Sequence, residues 1–278
     1  MRNALTFDLE EWYHPEAIRT SGLKIERFSQ AAEATTPILD LLKAYSVKAT
    51  FFTVGELAAE HPTLIERILD EGHELAFHGW EHDPLWVMSP ETFSMELARC
   101  LTWRDVTFPG VEIHGYRAPT FSLDKNTAWA IPLLQEYGFA YDSSVFPART
   151  PLYGVPDAPR HAYHIDPDNP AKEAADGLLE IPMSVYDLGI TRIGFTGGLY
   201  LRALPWTLIQ RMVGSTNAKG LPAVFYIHPW ETFAATPRVK LSRWGRFVLY
   251  YGLPSSGKLE KLLKTFAFDA MQNIFLAL

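Results

Sequence analysis

Short runs of β-forming residues, each followed by a longer segment of helical period, alternate along most of this chain, and that alternation limits its fold more than any other feature. The pattern predicts strands over residues 4–8, 48–54, 74–78, 113–117, 139–142, 178–181 and 223–228, and helices over 31–44, 56–70, 90–106, 125–137 and 205–217. A strand that returns through a helical crossover re-enters the sheet in the same direction, so the pairing should be parallel. The expected fold is α/β, with a parallel sheet of about seven strands closed or nearly closed into a barrel. Ser89 before Pro90, the capping groups of Ser122-Leu123-Asp124, and Gly138 and Gly220 at helix ends support these boundaries. Between residues 143 and 177 the period fails and six prolines appear. Such a stretch reads as a long loop, either a flap on the substrate side or an insertion without a role.

Composition narrows the function. With 278 residues, 47% of them hydrophobic, the chain can bury a large core as one domain. A net charge of -7 and a pI near 5.7 exclude a general nucleic-acid binder, which needs a basic surface to displace counterions. The lone Cys100 allows no intramolecular disulfide and reads as a small core residue. The N-terminus enters a strand directly, without the apolar core of a signal peptide, and no apolar run is long enough to span a bilayer. The expected location is cytoplasmic.

His78-Gly79-Trp80-Glu81-His82 sets two imidazoles four residues apart at the end of a buried strand. Two imidazoles with one carboxylate give three protein ligands and leave room for water, the arrangement of a catalytic zinc-type site. Asp8, His78, Arg117, Asp142 and His228 each stand at the C-terminal end of an expected strand. In a parallel barrel those ends share one face, so residues spread over most of the chain converge on one pocket.

The segments Thr6-Phe7-Asp8-Leu9-Glu10-Glu11, Ala49-Thr50-Phe51-Phe52, His78 to His82, Gly115-Tyr116-Arg117-Ala118-Pro119, Tyr141-Asp142-Ser143-Ser144 and Tyr226-Ile227-His228-Pro229-Trp230-Glu231 resemble, in order, the motifs of the polysaccharide deacetylase (NodB-like) family, carbohydrate esterase family 4. Gly197-Gly198-Leu199-Tyr200-Leu201-Arg202, the ending His228-Pro229-Trp230-Glu231 and the segment 246–268 look closest to the branch found with bacterial exopolysaccharide biosynthesis. The resemblance implies a TIM-like, distorted (β/α) barrel with about seven strands and fewer than eight full units, a divalent metal, usually zinc, and removal of N-acetyl groups from an amino-sugar glycan. It implies His78 and His82 as metal ligands, Asp8 as general base oriented by Arg117, and His228 as general acid held by Asp142.

Two departures from the family pattern stand out. Where the first motif commonly has two adjacent aspartates, Asp8 is followed by Leu9-Glu10-Glu11. Glu10 shares a strand face with Asp8 and is the favoured third ligand, Glu11 would need a bulge, and Asp8 itself or water remains open. Gly79 stands where serine or threonine is common. Trp80, Phe121, Tyr200 and Trp230 are candidates for stacking on sugar rings or for packing, and the other histidines, His14 among them, read as surface or core residues.

The expected organisation is a barrel over residues 1–235 and a basic, aromatic helical extension over 236–278 packed on it. Between 238 and 264 this extension carries seven Lys or Arg residues and one acidic residue, Glu260. That composition suits peripheral contact with an anionic membrane, and equally a solvated basic helix face. Two alternatives stand beside the deacetylase: an amidohydrolase of the same fold on a non-sugar amide, and a glycan-binding or scaffolding protein that has lost turnover.

Overall fold

The computed structural model describes residues 1–276. Twelve strands run in chain order: β1 (Arg2–Leu9), β2 (Thr50–Thr53), β3 (Glu74–Phe77), β4 (Gly115–Tyr116), β5 (Tyr141–Asp142), β6 (Tyr163–Asp166), β7 (Asn169–Glu173), β8 (Leu179–Glu180), β9 (Val185–Asp187), β10 (Arg192–Gly194), β11 (Val224–Ile227) and β12 (Ala267–Asp269). The main sheet follows the order β11-β1-β2-β3-β4-β5-β8-β6-β7. Its first seven members pair in parallel and coincide with the seven strands expected from sequence. Among the described residues no ladder joins β8 back to β11. The gap is spanned by single contacts: the backbone N–H of Val224 donates to Ser184 Oγ at 2.8 Å, and Gly197 bridges Tyr226. The molecule is a distorted (β/α) barrel, closed on one side by loops.

Strand alternation divides the core in two. Leu5, Phe7 and Leu9 of β1, with Phe225 and Ile227 of β11, face outward beneath the helices. Ala4, Ala76, Val224 and Tyr226 face the interior. Asp8, His78 and His228 continue the interior rows beyond the last hydrophobic layer, at the strands' C-terminal ends. The opposite end is plugged by helix Met271–Phe275. Its Met271 N–H donates to Thr50 Oγ at 2.8 Å and its Gln272 N–H to Glu74 Oε2 at 3.0 Å, so buried polar groups at the barrel floor are satisfied. The strand before that plug, β12, pairs with the start of β1.

Several local expectations are refined. The helix expected over 56–70 is two helices, Gly55–Glu60 and Pro62–Asp70, because His61 precedes proline and takes φ -125° and ψ 57°. The helix expected from 125 begins at Ala130, since Asp124 Oδ1 accepts the N–H groups of Asn126 and Thr127 in a turn instead of capping a helix. Ser89 does cap helix Pro90–Thr107, accepting the Thr92 N–H at 3.3 Å. The stretch 143–177 is not structureless: β6 and β7 form an antiparallel hairpin that extends the sheet edge through β8.

Candidate active site

Glu10 lies one residue past the end of β1, where its N–H turns back to Asp8 O at 3.1 Å and keeps both carboxylates on the interior side. Glu10 Oε2 lies 2.5 Å from His82 Nε2, and Glu10, His78 and His82 bring one ligand atom each within 4.8 Å of one another. All three are buried. His78 Nδ1 contacts Arg117 O at 2.8 Å, which fixes its tautomer and leaves Nε2 free. Among the described residues His82 Nε2 has no hydrogen-bond partner other than this close approach of Glu10. A buried donor set of two imidazoles and one carboxylate with an unpartnered ring nitrogen fits a divalent metal. Burial keeps His78 neutral, pushed down to about 4 with help from His82. Burial would raise the Glu10 carboxyl, but the imidazoles of His82 and His228 outweigh it and hold Glu10 well below the usual range.

Glu11, the other candidate ligand, points away. Its carboxylate accepts from the N–H groups of Gln30 and Ala31 and from Ser29 Oγ, anchoring the start of helix Ala31–Ala44.

Arg117 is fully buried and every arm is engaged. Nη1 donates to Asp8 Oδ1 at 2.5 Å and to Thr6 Oγ at 2.8 Å, while Nε and Nη2 donate to the carbonyl and hydroxyl of Ser143, each at 3.0 Å. The Phe52 ring lies 3.9 Å beneath the guanidinium. Asp8 Oδ2 is left facing His228 Nε2 at 3.8 Å, and Glu10 Oε1 lies 3.7 Å from the same nitrogen.

The partner of His228 is a correction to the sequence reading. Glu231, not Asp142, takes the ring: Glu231 Oε2 lies 3.0 Å from Nδ1 and accepts the His228 backbone N–H at 3.0 Å. Arg202 Nη2 holds the other oxygen of Glu231 at 2.8 Å. Asp142 cannot reach the pocket because Tyr141 and Ser143 occupy the interior row of β5 and Asp142 alternates outward. There it meets Glu180, its register partner on β8, and accepts from Ser144 Oγ at 2.5 Å. Burial raises both carboxyls, and at Glu180 the neighbouring Asp142 carboxylate raises it further. At His228, burial works against the charged ring, but Glu10, Glu231 and Asp8 together prevail and raise it to about 9.

Asp8, Glu10, His78, His82, His228 and Glu231 line a cavity of about 200 Å³ with Phe121, Tyr153, Tyr200, Tyr226 and Trp230 in its wall. Trp230 stacks on His228 at 5.1 Å and donates Nε1–H to Glu10 Oε1 at 3.1 Å. Trp80 stands outside the cavity, buried in the outer core under Arg99. Leu152 and Tyr153 bring the 143–177 segment to the cavity.

Sequence reasoning passed over three participants. Glu231 was signalled by its position three residues after His228 on a short helix, Pro229–Thr232. Arg202 carried no local signal, because its partner is 29 residues away. His14 is stacked on His82 at 4.9 Å, and burial together with His82 pushes it down to about 3. Two glycines make room. Gly79 takes φ +75° in the ligand loop, and a Cβ on Gly198 would lie 1.8 Å from Glu231 Oε2.

Residues 4–141 match the profile of the family described as polysaccharide deacetylase, and residues 143–276 match a domain of unknown function, DUF3473. Over 61 residues the chain is 39% identical to the peptidoglycan-N-acetylglucosamine deacetylase PgdA of Listeria monocytogenes, covering 22% of this chain and 13% of that protein. A 67-residue match to the peptidoglycan-N-acetylglucosamine deacetylase of Bacillus cereus is 37% identical and covers 24% of each. The chain thus spans no more than about a quarter of the length of either relative. The crystal structure of a Mycobacterium smegmatis protein assigned as a polysaccharide deacetylase has a likeness of fold, with a TM-score of 0.60 over 99% of this chain and 90% of that one, at 19% identity.

Proposed function

This chain belongs to the polysaccharide deacetylase family, and from that premise we propose that it is a metal-dependent hydrolase removing N-acetyl groups from amino sugars of a polysaccharide or its lipid-linked precursor. The observation that carries the reading is the gathering of an Arg-held carboxylate, Asp8, and a Glu-held imidazole, His228, around the donor set Glu10, His78 and His82. A divalent ion in that set, zinc by its preference for imidazole and carboxylate, supplies Lewis acidity toward an acyl oxygen and toward water.

The protein's own groups divide the proton work. Asp8 has one oxygen occupied by Arg117 and presents Oδ2 to take a proton from the attacking water. His228 carries the proton the leaving amine needs on Nε2, while Glu231 holds the ring by Nδ1 and Arg202 keeps Glu231 ionised. As the C–N bond breaks, that proton passes to the amine nitrogen. Asp8 then returns its own proton across 3.8 Å to His228, and the second water proton leaves with the acid product. Phe121, Tyr153, Tyr200 and Tyr226 offer apolar faces to a pyranose and exclude bulk water from the acid and base. The DUF3473 match, in the half of the chain that supplies Arg202, His228 and Glu231, supports a place in exopolysaccharide formation. The test is acetate release from N-acetylglucosamine oligomers with zinc supplied. Release that depends on zinc and vanishes in Asp8→Asn supports the proposal, and zinc binding without release from any N-acetylated glycan removes it.

A further inference from the structure

Helix Arg243–Tyr250 has two functional faces. Val248 and Leu249 line the catalytic cavity. The outer face borders a separate cleft of about 630 Å³ lined by Arg238, Lys240, Arg243 and Arg246 with Phe247, Tyr250 and Tyr251. The four cationic side chains are exposed, and no carboxylate lines the cleft. The Lys and Arg ion pairs in residues 202–264 are those of Arg202 and Lys264, and among the described residues none goes to these four. A concentrated basic patch on a chain of net charge -7 is a local feature that the overall charge opposes.

Beside the cations stands an apolar ridge. Trp244, Phe247 and Tyr251 are 62%, 41% and 50% exposed, with Trp244 stacked on Phe247 at 5.8 Å and Phe247 against Tyr251 at 5.1 Å. Large aromatics held in water next to unpaired arginines match the boundary of a bilayer, where rings sit among headgroups and cations meet lipid phosphates. An anionic glycan fits less well, because the cleft has no Asp, Glu, Asn or Gln to hydrogen-bond sugar hydroxyls.

We propose that this face docks the protein on an anionic phospholipid bilayer through Arg238, Lys240, Arg243, Arg246 and the Trp244–Phe247–Tyr251 ridge. The helix is rigidly joined to the active site: Arg202 Nη2 donates to Val248 O at 3.0 Å and to Glu231 at 2.8 Å, and Arg202 Nη1 donates to Tyr251 O. Docking therefore holds the catalytic cavity one helix width, about 10 Å, from the lipid headgroups. It rests on the proposed deacetylation only for what would be delivered there, a glycan still attached to lipid.

The test reads partition, not hydrolysis, so its outcome is independent of the catalytic reading. The full chain is floated with vesicles of phosphatidylcholine alone and of phosphatidylcholine mixed with phosphatidylglycerol, with alginate as a soluble anionic glycan. The expected result is binding to the anionic vesicles at least about tenfold tighter than to the neutral ones, lost on raising salt and in Arg243→Glu/Arg246→Glu. Trp244→Ser/Phe247→Ser should also weaken it several-fold with the charge intact, and abolish a blue shift of tryptophan emission seen on docking. Thermal unfolding of these surface variants should match the parent. Failure of the parent to bind anionic vesicles, retention by both variants, or alginate binding without vesicle binding would each overturn the proposal.

Discussion

Glu231 grips His228 twice with one oxygen, at the backbone N–H and at ring Nδ1, each at 3.0 Å. The strongest claim about the proton donor follows from that pair. Glu231→Gln should lower turnover by roughly a hundredfold or more, the usual scale for losing a tuned acid. Asp142→Asn should leave turnover within a few-fold, because Asp142 faces Glu180 outside the cavity. Steady-state rates of the two variants at neutral pH check this directly.

The pH profile should carry the same signature. With His228 raised to about 9, the acid is protonated at neutral pH and the rate should fall as pH rises through that region. In Glu231→Gln one of the carboxylates raising His228 is gone, so the alkaline limb should move to lower pH.

Stability of the metal-free protein should be lost in both directions. The His228 contribution is fully present below its unfolded value of 6.5 and lost as pH rises through about 9. His78 and His14 are depressed to about 4 and about 3, so below 6.5 the unfolded chain binds their protons first and stability falls with pH. Thermal unfolding against pH should peak near neutrality, and His228→Asn should flatten its alkaline side.

Gly198 tests the close approach behind the acid. A Cβ there overlaps Glu231 Oε2, so Gly198→Ala should displace the carboxylate and lower turnover with little change in zinc content. Gly79→Ala should act differently. It strains a residue at φ +75° and brings Cβ to 3.0 Å from Pro119, costing about 1 kcal/mol or more and weakening zinc binding through the His78–His82 loop. Parallel metal analysis and rate measurements separate the two.

How much of this was legible in the sequence depended on the range of the interaction. The seven parallel strands could be read because each is a local apolar run between helical segments; alternation along β1 pointed Glu10 to the side of Asp8, although β1 ends at Leu9 and the turn back to Asp8 O is what keeps it there. The same rule of two, applied to Tyr141-Asp142-Ser143, would have turned Asp142 outward and Ser143 toward Arg117. The role of Arg202 was hidden because only the fold brings it to Glu231, and His14 because its stacking on His82 depends on the turn after β1. The hairpin β6–β7 escaped detection because the alternation in β6 covers only four residues, and β7 includes Asn169 and Pro170 and exposes most of its side chains.

The most direct measurement is acetate release from N-acetylglucosamine oligomers by chelator-stripped protein titrated with zinc, run beside Asp8→Asn and a His78→Ala/His82→Ala variant. Activity should return with one zinc per chain in the parent. Asp8→Asn should bind zinc without turnover, and the double variant should do neither. Full zinc content in the double variant, or acetate release undiminished by chelator, would contradict the account.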